Sequence, residues 1–314
     1  MSESRGDTAR ARLAHSGLVA PDPGAIRRWL LAARVPTLTA SVAPILVGSA
    51  LAVRDDVFAP VAALVALAGA VAIQIGANLA NDVWDFRRGA DTAARIGPPR
   101  VTQLGLLAEG QVVAGMWIAF SVAASAGLYL TAVAGWPVVA MGIASIAAAL
   151  AYTGGPWPFG YRGLGEPFAF AFFGVIAVGG TYYVQAGEWS MDVLAASLPV
   201  GCTVTAILVV NNVRDIETDR ATGKRTLAVL VGRPSTRGLF LALIVAAYAF
   251  AVGLWIAGPF EVWVLLSTVS LPLTVRPALA VLRETTGPPL NAALRGTARL
   301  HLLFSALFAL GIVL

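Results

Sequence analysis

The chain has little of what most soluble enzymes use for chemistry. It carries one cysteine, Cys202, and two histidines, His15 and His301, in 314 residues. A lone cysteine excludes an intramolecular disulfide and a cysteine-based metal site. Two histidines so far apart exclude a histidine-based metal centre, and they read as a tail residue and a helix-end residue. Lysine is scarcer still, since Lys224 stands alone among 22 basic residues. Charged residues are only 12% of the chain, where a soluble domain carries about 25%. In their place, 58% of the residues are hydrophobic and the mean hydropathy is +0.77. That balance excludes an ordinary soluble domain and defines a polytopic, all-α membrane protein. The basic pI of about 9.9 does not point to nucleic acid as a partner. The positive charges sit in loops between apolar runs, which is a topology signal for the lipid bilayer.

About 20 apolar residues cross a bilayer as a helix. Nine candidate spans follow, at 29–53, 58–83, 111–133, 136–154, 166–185, 193–212, 237–257, 260–280 and 296–314. The turns Ala134-Gly135-Trp136-Pro137 and Gly258-Pro259 separate neighbours that would otherwise run together. With nine spans, the N-terminal tail and the loops after spans two, four, six and eight share one side. Of the 22 basic residues only Arg54 then falls opposite, beside Asp55, Asp56, Glu188, Asp192 and Glu261. The positive-inside rule places the N-terminus in the cytoplasm and Leu314 outside, in a bacterial-type cytoplasmic membrane. Residues 1–25 read as a disordered polar tail with no cleavable signal peptide, ahead of one transmembrane domain at 26–314.

A polar phrase appears twice, each time at the cytoplasmic end of an apolar run. The first copy holds Asn78, Asp82 and Asp85 and continues to Asp91; the second holds Asn211, Asp215 and Asp219. On a helix, i, i+4, i+7 and i, i+4, i+8 spacings each make a stripe along one face. Carboxylates at a membrane are costly and mark function. Two stripes facing each other offer oxygen ligands to Mg²⁺, which also takes phosphate oxygens and so suits a diphosphate substrate. Four spans separate the copies, the pattern of an internal duplication. Arg87, Arg88, Arg100, Arg214, Arg220, Lys224 and Arg225 surround the stripes and supply phosphate-binding cations, although basic loops also serve topology alone. The Gly- and Pro-rich segment from Tyr152 to Glu166 is a loop on the same side, and Tyr152, Trp157 and Tyr161 are candidates to line an aromatic site. Gln74 extends the first stripe inward, Thr37 and Ser41 are polar on an early turn, and Asn291 and Arg295 precede the last span.

These residues resemble the UbiA superfamily of intramembrane prenyltransferases, and within it the 1,4-dihydroxy-2-naphthoate polyprenyltransferases. The matching phrases are Asn81-Asp82-x-x-Asp85 to Asp91, Ile96-Gly-Pro-Pro-Arg100, Tyr152-Thr-Gly-Gly-Pro156, Gly160-Tyr-Arg-Gly-Leu-Gly-Glu166, Asn211 to Asp219 with Gly223-Lys-Arg-Thr-Leu227, and Leu290 to Ala298. The resemblance implies nine transmembrane helices around a central cavity under a cytoplasmic cap. It implies Mg²⁺-dependent transfer of a polyprenyl group from polyprenyl diphosphate to an aromatic acceptor, with loss of the acceptor's carboxylate in the naphthoate branch of menaquinone synthesis. Asp82, Asp85, Asp215 and Asp219 carry over as Mg²⁺ ligands. Asn78 and Asn211 support them, and Arg100, Arg162 and Lys224 contact diphosphate or carboxylate. Tyr152 is a candidate for proton transfer. Three features depart from the family pattern: Val35-Pro36 stands where many relatives have Pro-Lys, Val83-Trp84 replaces a pair of aromatics, and Asp91 lies six residues past Asp85 instead of four. The alternatives within the enzyme class are 4-hydroxybenzoate, homogentisate or another acceptor. The rival from another class is a cation-coupled transporter, which calls for charges near the bilayer midplane, whereas both clusters lie at span ends.

Overall fold

The computed structural model describes residues 24–91, 96–285 and 287–314. Residues 1–23 of the expected tail, with His15, lie outside the described residues. The first helix begins within that expected tail, at Gly24. Among the described residues the chain is helical throughout, with no strand.

An amphipathic helix α1, Gly24–Ala33, precedes the bundle. A left-handed turn at Arg34 (φ 52°) leads through a 3-10 turn, Val35–Leu38, into α2, Thr39–Arg54. Helices α3 (Pro60–Arg87), α4 (Glu109–Ala134) and α5 (Pro137–Ala151) follow. Each of α3 and α5 starts on proline, whose fixed φ and missing N–H cost nothing in a first turn. Helix α6, Gly165–Ala186, is π-helical over Phe170–Ile176. The longest helix, α7 (Met191–Ala221), is capped by Ser190, whose hydroxyl accepts the Val193 N–H. Helix α8 (Leu227–Ile256) breaks at Gly232, where φ is 80°, so its first turn stands apart from the span. A 3-10 segment, Val262–Ser270, bends by 48° into α9, Pro272–Arg283, and α10 (Gly287–Val313) closes the chain.

Seven of these helices are long and apolar enough to cross a membrane, and eight are if the bent pair counts as one span. The expected count of nine is not reached by length. The fourth expected span, 136–154, is the 15-residue helix α5, below the usual length of a crossing, although the segment runs from Val138 at the end remote from the motifs back to Thr153, which meets Asn81 at the motif end. Gly135 and Gly258 turn the chain at positive φ, 88° and 93°, at the two breaks expected from sequence.

The two motif-bearing helices occupy matching places. Helix α3 packs along α4, and α7 along α8, while α10 packs against α2, α7 and the 262–270 segment. Small residues let these helices approach closely, as membrane packing requires. A Cβ on Gly48 of α2 would sit 2.5 Å from the Val178 carbonyl oxygen of α6. Gly311 of α10 lies against the backbone of Trp263 in the same way. At the end remote from the motifs, Arg54 gathers several elements. Its guanidinium pairs with Asp55 at 2.7 Å and Asp192 at 3.2 Å and stacks on the Phe260 ring. Tyr182 donates to Asp55 at 2.8 Å. Burial alone would raise the Asp55 carboxyl, but Arg54 and the Tyr182 hydroxyl more than offset it and hold the group below its ordinary value.

Gly48→Ala is expected to force α2 and α6 apart and to cost about 1–3 kcal/mol, the usual range for overpacking. Thermal denaturation in detergent reads this as a lowered midpoint; an unchanged midpoint contradicts the close approach.

Candidate active site

A cavity of about 810 Å³ runs through the bundle. Its walls are mostly alanine, glycine and phenylalanine from α3, α4, α5 and α6, and Ala66, Leu130, Val138 and Val184 line its far end. Its mouth is polar. Asn81 and Asp85 of α3, Asn211, Asp215 and Asp219 of α7, Arg100, Lys224, Asn291 and Arg295 all face into it.

The mouth shows which residues of the first motif face the cavity. Helix α3 presents Ala70, Gln74, Ala77, Asn81 and Asp85 to the cavity. Asn78 and Asp82 sit on a neighbouring face and hold protein. Asn78 donates to the Ala33 carbonyl and the Thr37 hydroxyl, both at 2.9 Å, and so fixes the turn between α1 and α2. Asp82, 2% exposed, accepts the backbone N–H groups of Val101 at 3.2 Å and Thr102 at 3.0 Å. Both its oxygens are thus committed to the segment that carries Arg100. The expected stripe Asn78/Asp82/Asp85 is corrected to Asn81/Asp85. Helical geometry gives the reason: Asn-x₃-Asp occurs twice in overlapping register here, and only one register faces inward. The second motif faces the cavity as expected, with Asn211, Asp215 and Asp219 along one line of α7.

Each cavity carboxylate is held by a cation. Arg100 donates to Asp85 at 2.6 Å and pairs with Asp91 at 3.2 Å. Tyr161 donates to the other Asp85 oxygen at 2.7 Å. Burial, then the Asp85 carboxylate, pushes the Tyr161 phenol well above its ordinary value, so it stays protonated as a donor. Arg214, 1% exposed, grips Asp215 through two bonds at 2.7 and 2.6 Å and also reaches Asn211 and Asn291. Lys224 lies 4.0 Å from Asp219, whose other oxygen is 3.4 Å from the Thr226 hydroxyl. Asn81 accepts from Thr153 at 2.9 Å, tying α3 to the loop after α5. Tyr152 lines the cavity. Its apolar enclosure, then Glu166 and Asp85, push its phenol up as well, so it too stays a protonated donor. Arg162 is not at the mouth; it lines a separate pocket beside Trp157.

Sequence reasoning missed Arg214 as the partner of Asp215 and Asn291 as the residue bridging Arg214 to the Ile96 carbonyl. The Asn-x-Arg-Asp order of the second motif was the available signal, because an Arg beside an Asp on a buried helix must pair locally.

Among the described residues no group of three or more His, Cys, Asp or Glu stands ready to hold a metal. The donor set nonetheless fits Mg²⁺. Asp85, Asp215 and Asp219 are hard oxygen donors from both sides of one mouth, with two asparagine amides beside them. Mg²⁺ takes one or two carboxylates plus substrate phosphate and water and needs no all-protein cage.

A helical bundle around a deep apolar cavity with carboxylates and cations at one end defines the class: a membrane-embedded helical protein with an amphiphilic central cavity. Residues 41–308 match the UbiA prenyltransferase family. A 1,4-dihydroxy-2-naphthoate octaprenyltransferase from Escherichia coli (strain K12) is 35% identical over 292 residues, covering 91% of this chain and 95% of its own length. The protein of that name from Mycobacterium leprae (strain TN) is 39% identical over 272 residues, covering 86% and 90%. The apo structure of a UbiA homolog from Aeropyrum pernix K1 superposes with a TM-score of 0.65 at 15% identity, covering 85% of this chain and 97% of the other. A UbiA homolog from Archaeoglobus fulgidus, solved with DMAPP and Mg²⁺, superposes at 0.63 and 13% identity, covering 91% and 99%. The chain belongs to the UbiA prenyltransferase family, and it is a prenyltransferase.

Asp82→Asn and Asp85→Asn separate the two roles. Asp82→Asn leaves one acceptor for two buried amides and is expected to cost about 1–3 kcal/mol, read as a lowered melting midpoint, while the Mg²⁺ concentration for half-maximal activity stays put. Asp85→Asn is expected to raise that Mg²⁺ requirement or abolish turnover. A shifted Mg²⁺ requirement in Asp82→Asn contradicts the placement.

Proposed function

We propose that the protein transfers a polyprenyl group from polyprenyl diphosphate to 1,4-dihydroxy-2-naphthoate, with loss of CO₂, in menaquinone synthesis. The observation that carries the reading is the pairing of Asn81/Asp85 with Asn211/Asp215 at the mouth of one long apolar cavity. The relatives named as naphthoate octaprenyltransferases, at 35% and 39% identity over most of the chain, support the choice of acceptor. The A. fulgidus homolog solved with DMAPP and Mg²⁺ supports the metal and the allylic diphosphate.

The chain's own residues divide the work. Asp85, Asp215 and Asp219 are the Mg²⁺ ligands, supported by Asn81 and Asn211. Bound Mg²⁺ supplies Lewis-acid neutralisation of the departing diphosphate. Lys224, Arg100 and Arg295 take the remaining phosphate charge, the two arginines through their planar forks. These donors are in place before reaction, which is where electrostatic stabilisation is most effective. The C–O bond to diphosphate breaks as the allylic carbon gains positive charge. Phe168 and Phe172, stacked 5.9 Å apart on the cavity wall, present π-faces that stabilise a cation and exclude water. The electron-rich ring carbon bearing the carboxylate attacks, a C–C bond forms, and the C–CO₂ bond breaks to return its electron pair to the ring. Tyr152, held protonated, is positioned to donate to a phosphate or ring oxygen. The isoprenoid tail lies along the Ala- and Gly-lined wall. The motif end faces the cytoplasm, where 1,4-dihydroxy-2-naphthoate arrives, and Leu314 lies outside; the transmembrane domain extends over 26–314.

The test is incubation of the purified protein in detergent with Mg²⁺, a polyprenyl diphosphate and 1,4-dihydroxy-2-naphthoate. The expected result is demethylmenaquinone by mass spectrometry, lost with EDTA and lost in Asp215→Ala. Prenylation of 4-hydroxybenzoate or homogentisate in its place overturns the acceptor assignment and leaves prenyl transfer standing.

A further inference from the structure

A second pocket of about 620 Å³ opens beside the cavity mouth. Three arginines from three distant segments converge on it: Arg88 after α3, Arg162 in the loop before α6, and Arg225 after α7. Among the described residues no acidic side chain lines it. Arg88 is locked by bonds to the Thr153 and Gly155 carbonyls at 3.1 and 2.6 Å. Arg162 stacks over the Trp157 ring at 5.0 Å. Neither Arg162 nor Arg225 has an ion pair among the described residues. Trp157 is 51% exposed, so a flat aromatic face and free guanidinium groups lie open together.

Tyr161 is the wall between the two chambers. Its ring lines the second pocket, and its hydroxyl is bonded to Asp85 in the first. The Arg225 N–H donates to the Tyr161 carbonyl at 3.1 Å. Consecutive residues thereby face opposite ways, Lys224 into the cavity and Arg225 into the pocket. The two substrates of the proposed reaction differ in kind. The prenyl diphosphate is lipid-borne and enters a cavity walled for its tail. The acceptor is a small, water-borne acid.

We propose that the pocket between Arg88, Arg162, Arg225, Trp157 and Tyr161 is a docking site for a planar aromatic carboxylate, the staging site from which the acceptor enters past Tyr161. This rests on the functional reading above for its biological ligand. Guanidinium groups pair with a carboxylate fork-to-fork, and the Trp157 and Tyr161 faces supply stacking. Basic loops that serve topology alone spread their charge along the membrane surface; here three cations meet in one concavity with two rings. An uncompensated positive cleft also concentrates an anionic ligand and speeds its arrival.

The probe is 2-naphthoate, a planar acid that cannot be prenylated with decarboxylation in the assay used. It is titrated by calorimetry into the full chain in neutral detergent, without Mg²⁺ or prenyl diphosphate, beside 2-naphthol and inorganic phosphate. The expected result is binding of 2-naphthoate about tenfold or more tighter than 2-naphthol, weakened by a similar factor in Arg162→Gln/Arg225→Gln, as loss of charge-assisted bonds implies. The Arg162→Lys/Arg225→Lys variant keeps the charge and is expected to recover part of the affinity. In turnover, the Gln pair raises KM for the acceptor and leaves KM for the prenyl diphosphate in place. Wild-type binding by the Gln pair, or no binding of 2-naphthoate to wild type, overturns the proposal. So does displacement of 2-naphthoate by equimolar phosphate, which would make the pocket a general anion or lipid-phosphate site. If the enzyme prenylates a different acceptor, the naphthoate reading fails, while the titration still reports on the pocket.

Discussion

A carboxylate removed from water must find a cation or several donors, and much of this protein's mouth is arranged to meet that demand. Asp82, Asp85, Asp91, Asp215 and Asp219 are each less than a tenth exposed. An uncompensated charge in such a place is prohibitive. Two pieces of chain supply most of the partners, the 100–102 segment for the first motif and Arg214 for the second. Asp85 takes Arg100 and Tyr161, and Asp91 takes the Nε of the same Arg100. Asp82 takes two backbone amides next to that same arginine. Asp215 takes Arg214, which is itself shared with Asn211 of α7 and Asn291 of α10. The loops that roof the cavity are therefore held by the acids beneath them, so the site and the fold at this end are one network.

That economy has a chemical consequence. Arginine is effectively always protonated, so Arg100 and Arg214 set a lasting positive charge against Asp85 and Asp215 and orient them. Mg²⁺ prefers ionised oxygen donors. The guanidinium groups that hold the acids in place are also the right kind of group for phosphate oxygens. In the proposed reaction, a diphosphate arriving with its metal would exchange one set of charge pairs for another within the same mouth. Helix α7 is suited to carry this load, because most of its span is buried inside the bundle and its motif projects from the most protected element of the fold.

Much of this was legible in the residues, and the parts that were not have identifiable causes. Long apolar runs with loop charges on one side give membrane helices without further information. The helix within the 136–154 segment is shorter than the hydropathy suggests, because hydropathy measures composition, whereas the chain leaves the helix at Tyr152 into a Gly-Pro loop. The second motif was readable because Asn211, Asp215 and Asp219 admit one helical register. The first was ambiguous. Asn78/Asp82 and Asn81/Asp85 have identical spacing, and at about 100° per residue their faces differ by less than a quarter turn. What decides between them is the line of Ala70, Ala77 and Asn81, the small side chains that leave room for a cavity. Small residues mark close helix packing and cavity walls alike, so composition alone does not separate the two. Arg162 was readable as a basic residue near aromatics, but its place beside Trp157, outside the main cavity, depends on the path of the loop.

In the proposed reaction Tyr161 stands where two unlike substrates are kept apart until both are bound. An allylic cation formed in contact with bulk water would be captured by it, so the cavity mouth must be closed on its aqueous side. A tyrosine suits that place better than an aliphatic residue. Its ring excludes water, Lys224 and Arg88 pack against the ring at 5.0 and 5.6 Å, and its hydroxyl satisfies a carboxylate that would otherwise need solvent. Because that hydroxyl bonds to Asp85, the barrier is coupled to the acid assigned here to Mg²⁺. A metal drawing on Asp85 would weaken the bond that holds Tyr161 shut.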